Sequence, residues 1–137
     1  MATQTRVSVK IDHTKLNAYV SKIATASLER AGSVSASRMR SFILGDDLVH
    51  TGKLLGSIAV SHVQGPDTGK YVLIGTPLPY AKYPEYGTRA HGPVTAKFLR
   101  FKPKGSSTYV FAKWVRGVRP YRFAQKTLDE VRPSDFV

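Results

Sequence analysis

Leu16, Tyr19, Val20, Ile23 and Leu28 recur at helical spacing, with Lys15, Lys22 and Glu29 off that face, and no other feature of the chain limits its architecture as much. The spacing predicts an amphipathic helix from about Thr14 to Leu44. Asp12 or Thr14 can cap its start, because a short side-chain oxygen accepts from the free N–H groups of a first turn. Gly32 and the Ser-rich patch from Ser33 to Ser37 weaken the middle, since glycine costs about 1 kcal/mol against alanine inside a helix. A break near Gly32 is therefore the alternative, and Gly45 followed by Asp46 and Asp47 is a firmer stop. Ahead of the helix, Arg6 to Ile11 alternate strictly, with Val7, Val9 and Ile11 on one face, the period of a half-buried strand.

Beyond the helix the pattern changes to short β-like runs. Thr51-Gly52 opens a turn or single helical turn, Ser57 to Val63 alternates, and Gln64 to Gly69 is turn-rich. Tyr71 to Ile74 then completes a hairpin. Thr76 to Pro93 carries too many prolines and glycines for one regular element and predicts a long loop with one helical turn around Tyr80 to Glu85. Phe98 to Lys102 and Tyr109 to Val115 read as strands around an exposed basic tip, Pro103 to Ser107. Pro120 suits the first turn of a closing helix with an apolar stripe of Phe123, Ala124, Thr127, Leu128 and Val131, ended by Arg132-Pro133. The expected fold is α+β in one domain over residues 1–137. A single antiparallel or mixed sheet of about five strands packs against one long N-terminal helix and a short C-terminal helix.

Composition narrows the function. The 137 residues hold no cysteine, which removes disulfides, Cys-ligated zinc, iron–sulfur clusters and thiol nucleophiles. No stretch approaches the ~18 apolar residues needed to span a bilayer, and the polar start lacks the apolar core of a secretion signal, so a soluble protein with no membrane partner is expected. The net charge is +12, and it is unevenly placed. Lys82, Arg89, Lys97, Arg100, Lys102, Lys104, Lys113, Arg116, Arg119 and Arg122 face one acid, Glu85, in that stretch. Such a surface seeks a polyanion, either nucleic acid or an acidic protein face.

Catalytic chemistry finds little support. The nine carboxylates sit where a cap, a turn or a solvated helix end accounts for them. His13, His50, His62 and His91 do not pair at metal spacing, no Walker-type loop surrounds Gly52-Lys53, and no G-x-S-x-G is present. No catalytic residue, metal or cofactor is assigned, and the chain reads as a non-enzyme. Aromatics interleave with the bases of the second half, as in a nucleic-acid platform. Alternation in Phe98 to Lys102 and Tyr109 to Val115, however, predicts most of those rings on core faces with the charges outside.

Three short patterns follow one another in order: T-G-K-L-L-G-S-I at Thr51 to Ile58, Y-A-K-Y-P-E-Y-G-T at Tyr80 to Thr88, and R-P-Y-R-F-A-Q-K-T-L at Arg119 to Leu128. Together they resemble the tail-component family of long-tailed bacteriophages, the tail-completion or head–tail joining proteins, in layout from about Leu16 to Val131. Two features depart from the family pattern: Pro84, expected to shorten any helical turn there, and the strongly basic hairpin.

The resemblance implies a structural virion subunit without a reaction. It would act in a homo-oligomeric ring, hexameric in its usual form, at the neck or tail top, assembled in the host cytoplasm. The ring would join head-completion, stopper or adaptor proteins to a tail terminator or tail tube protein, with DNA passing through the lumen. Under this reading Tyr80, Tyr83, Glu85, Tyr86, Gly87, Thr88 and Arg89 form the partner-binding loop, with Gly87 a candidate for positive φ. Lys102, Lys104, Lys113, Arg116 and Arg119 form a basic hairpin interface. Six copies of a +12 subunit repel one another, so the hairpins must meet acidic surfaces on adjoining rings or, more weakly, make non-specific contact with DNA in the channel. The alternatives are a tail terminator subunit and a small basic sequence-independent nucleic-acid-binding protein; a ribonuclease-like toxin lacks the convergent acid and base residues.

Overall fold

The computed structural model describes residues 8–137. Its spine is helix α1, His13–Gly45, capped by the Asp12 carboxylate, which accepts from the Lys15 N–H at 3.1 Å. The helix runs through Gly32 unbroken. A Cβ there would come within 2.8 Å of Val60 Cγ1, so the glycine's helical penalty is offset by the close seating of a neighbouring hairpin. At the far end Asp47 takes the left-handed conformation, and the Leu48 N–H donates back to the Ile43 carbonyl at 3.0 Å. The stop therefore uses the aspartate after Gly45 rather than the glycine.

Helix α1 buries a different face from the one its periodicity favoured. Ala31, Gly32, Ser35, Ala36, Met39 and Ile43 are buried, whereas Leu16, Tyr19, Val20 and Ile23 are exposed and Leu28 is half-buried. The cause is tertiary: the elements that pack broadly on α1 do so along its second half, where small side chains let them approach closely.

After α1 come helix α2 (Lys53–Ser57), strands β1 (Ala59–Val60) and β2 (Ile74–Gly75), a 3-10 turn (Pro79–Ala81) and helix α3 (Lys82–Tyr86). Strands β3 (Leu99–Phe101) and β4 (Val110–Ala112), helix α4 (Phe123–Asp129) and a closing 3-10 turn (Pro133–Phe136) follow. The single sheet of about five strands is not formed. Instead there are two separate antiparallel ribbons, β1–β2 with Ala59 opposite Gly75 and β3–β4 with Arg100 opposite Phe111. Two causes are visible. Residues 8–11 of the expected first strand pair with nothing, while Arg6 and Val7 lie outside the described residues. The 3-10 turn and α3 come between β2 and β3 in the chain, and among the described residues no ladder joins the second ribbon to the first. The closing helix also starts later than Pro120 indicated, after a left-handed Arg122.

Each of the three sequence patterns delivers side chains to one core. Leu54 and Ile58 come from the first, Ala81 from the second and Phe123 from the third, packed on Ala36, Met39 and Ile43 of α1. Polar bonds lock the seams: the Arg40 guanidinium donates to the Ile58 carbonyl at 2.8 Å, and the Ser57 and Thr76 hydroxyls lie 2.6 Å apart.

The C-terminus is clasped by Arg38. Its guanidinium donates to both Asp135 oxygens, at 3.0 and 3.2 Å, while the Arg132 N–H donates to the same carboxylate at 2.9 Å. These bonds, Arg38 first, hold the Asp135 carboxyl below the ordinary carboxylate range. Because the folded-state value is the lower one, the clasp contributes fully above the unfolded value of about 4 and is lost as pH falls through the folded value. Acidification below about pH 4 is expected to accelerate amide exchange in the 3-10 turn and α4 before the core opens. An Asp135→Asn variant should lack that pH step in exchange; an unchanged step would reject the clasp.

Candidate functional site

Ala81 and Glu85 are four residues apart and both point inward, which sets the rest of the loop. Tyr80, Tyr83 and Tyr86, at intervals of three, are left on the outside, with Tyr86 76% exposed. The Lys82 ammonium lies 5.3 Å from the centre of the Tyr83 ring. Pro84 is accommodated inside the first turn of α3, where no helical N–H is required.

Glu85 serves this subunit's own fold. Arg122 at the head of α4 offers no side-chain cap, and the Glu85 carboxylate replaces it, accepting from the N–H groups of Ala124 at 2.9 Å and Gln125 at 3.2 Å. The Pro84 and Glu85 carbonyls accept from the N–H groups of Tyr121 and Arg122, at 2.8 and 3.2 Å. The second and third sequence patterns are thus two sides of one joint.

Gly87 and Thr88 extend that joint into the neck of a long arm. Gly87 has φ +77°, as its sequence context indicated, and a Cβ there would lie 2.7 Å from the Val118 carbonyl oxygen. Thr88 pairs doubly with Val118: its N–H donates to the Val118 carbonyl at 2.8 Å, and its hydroxyl accepts the Val118 N–H at 3.0 Å. Opposite, Gly117 passes so close to the Thr88 carbonyl that no side-chain carbon fits. Further out, His91 and Val115 exchange N–H···O bonds at 3.1 and 2.9 Å, and β3–β4 continue the ladder. Arg89 is exposed beside the neck, its carbonyl bonded to the His91 ring at 3.2 Å.

From Tyr86 to Arg122 no residue is buried. The expectation that alternation would seat the arm's aromatics in the core is therefore not met: Phe98, Phe101, Tyr109, Phe111 and Trp114 are exposed, Trp114 at 65%. The alternation exists, but no helix packs broadly on either face of the ribbon.

The predicted basic residues are distributed along this arm, all exposed. Lys102 lies 4.7 Å from the Tyr109 ring centre, Lys113 lies 5.9 Å from that of Phe98, and Arg119 lies 4.7 Å from that of Tyr121. Lys104, at the tip, donates to the backbone carbonyl and the carboxylate of Asp47 after α1. Arg116 is on the return strand near the neck. Three residues outside the predicted interface set join this surface. Arg100 stacks 3.8 Å from the Tyr109 ring centre, Phe111 faces Arg100 across the ribbon, and Asp47 anchors the tip. The period-two pattern held the signal for the first two; Asp47 is far away in sequence.

Among the described residues no cluster of His, Asp or Glu could hold a metal ion, and no helix is long and apolar enough to cross a membrane. The arrangement offers surfaces for contact: an exposed tyrosine row and an uncovered cationic, aromatic arm. No curated protein and no solved structure is significantly similar to the chain. The sequence pattern of the HK97-gp10-like family, bacteriophage HK97-gp10 tail components, matches residues 13–87, more than half of the 137, and the chain belongs to that phage tail-component family.

Proposed function

We propose that this tail component is a tail-completion, head–tail joining subunit. Six copies form a ring at the neck of the virion, between head-completion proteins and the tail tube, with DNA passing through the centre. Family membership supports a structural rather than catalytic role and a place in the virion. The observation that carries the finer reading is the run from Tyr86 to Arg122 without one buried side chain. A two-stranded ribbon with exposed rings on both faces is marginal alone in water and gains its packing from neighbours. Tyr80, Tyr83, Tyr86 and Arg89 present the docking row, Glu85, Gly87 and Thr88 hold that row against α4 and the neck, and the arm turns its uncovered faces to an adjoining layer.

Electron microscopy of particles made in the host cytoplasm without this protein tests the role. Separate DNA-filled heads and finished tails are the expected products. Overlong tails would reassign the subunit to tail termination, and infectious virus would overturn both.

A further inference from the structure

We propose that the arm is a docking strand pair for an acidic, extended segment of a different protein, which adds to the β3–β4 ribbon as a third strand and covers its cation–aromatic face. This deepens the joining role and rests on it for one point only, that the partner is another protein of the particle.

The chemistry of the face follows from the register. Arg100 is opposite Phe111, so Lys102 and Tyr109 lie on the same side toward the tip, and Phe98 and Lys113 on the same side toward the neck. The ring contacts agree, because Arg100 and Lys102 flank Tyr109 and Lys113 flanks Phe98. Three cations and three rings alternate over one exposed patch. Between Thr88 and Pro120 the chain has eight Lys or Arg and no Asp or Glu, so the arm supplies none of the carboxylates these cations can pair with. The one carboxylate it does hold is borrowed: Lys104 at the tip takes Asp47 from the end of α1.

A third strand is favoured by the backbone. The ribbon has only two strands, so each of β3 and β4 keeps an outer edge of unpaired N–H and C=O groups. An extended peptide satisfies such an edge while its alternate side chains reach one face. Glutamates there would meet Arg100, Lys102 and Lys113, and the alternating apolar residues, on the other face, would cover Phe101 and Val110.

A second copy of this chain fits poorly. Apart from Glu29, its carboxylates are already engaged: Asp12, Asp46, Asp47 and Asp67 with lysines, Glu130 and Asp135 with Arg38, Glu85 with the head of α4 and Asp129 with Gln125. Nucleic acid would neutralise the cations, yet it would leave Phe101 and Val110, exposed on the opposite face, and the strand edges uncovered.

Trp114, the chain's one tryptophan, lies in the arm and reports binding by fluorescence. The full chain is titrated with a short peptide alternating Glu with Val and Phe, with the same peptide N-methylated at alternate amides, and with a DNA duplex, all near physiological salt of ~0.15 M. Saturable binding of the unmethylated peptide alone is expected, weakened about tenfold or more by R100E/K102E/K113E. The altered side chains are exposed, so far-UV circular dichroism should remain that of the parent; Lys113→Gln alone, with a smaller loss, is the second variant should the triple one unfold. Equal binding of the methylated peptide would reduce the contact to ion pairing and overturn strand addition. Tighter binding of DNA, or no saturable peptide binding, would overturn the proposal. Because the readout needs no particle, a failed titration with normal dependence of joining on the protein leaves the joining role intact, and the reverse result rejects the role alone.

Discussion

Gly117→Ala is expected to destabilise the arm by on the order of 3 kcal/mol and to separate its neck, a large effect for one methyl group. The added carbon would fall on the Thr88 carbonyl oxygen, and the atom in the way is backbone, so no side chain can rotate to relieve the overlap. The neck would have to open, with loss of the paired Thr88 and Val118 bonds. Trp114 fluorescence and amide exchange across residues 88–118 should change, while exchange in the second half of α1 stays near that of the parent. Gly45→Ala is the control, because a Cβ there meets nothing within 4 Å. It should be neutral or slightly stabilising, by up to ~1 kcal/mol. A Gly117→Ala protein with parental exchange at the neck would reject the close approach and, with it, the arm's fixed exit from the body.

Ile43→Ala is the second large change, with an expected loss of about 2–5 kcal/mol. Ile43 is 0% exposed and belongs to the buried cluster that takes side chains from all three sequence patterns. The cavity would therefore lie where α1, α2, the tyrosine loop and α4 converge, and a site fed by four elements cannot collapse without moving several of them. Thermal unfolding should shift down by roughly 10 °C for a chain of this size. Leu16→Ala and Val20→Ala should each change the isolated subunit by less than ~0.5 kcal/mol, since both side chains are exposed. A comparable loss at Leu16 would mean that the first half of α1 is covered in solution.

The contrast between Ile43 and Leu16 shows how much of the fold was legible. Helical spacing located α1 to within a residue or two at each end, because capping and termination are local: Asp12 and Asp47 act on N–H and C=O groups a few residues away. Spacing could not identify the buried half. Leu16, Tyr19, Val20 and Ile23 form the stronger apolar row, yet burial went to Ala31, Gly32, Ser35 and Ala36, where small side chains permit close approach. The hairpins were legible for the same local reason, and their separation into two ribbons was not, since strand pairing depends on partners distant in sequence.

The candidate site divides in the same way. The ordered motifs pointed to the Tyr80 to Arg89 loop and to a positive φ at Gly87, and the basic hairpin was visible as charge. That Glu85 faces inward to cap α4, and that Lys104 closes onto Asp47, required the two ends of each contact to be brought together. The family match ends at Gly87, so the arm lies beyond the matched residues.

By itself, then, the sequence determined the elements, their caps and turns, the cationic excess of the second half and the kinship to phage tail components, because each depends on neighbours a few residues apart or on simple counts. The tertiary structure alone decided which apolar residues are buried and which are left for a partner. Burial is a property of the whole packed chain: a Phe in the alternation of a strand is core only where another element arrives to cover it, and from Tyr86 to Arg122 none does.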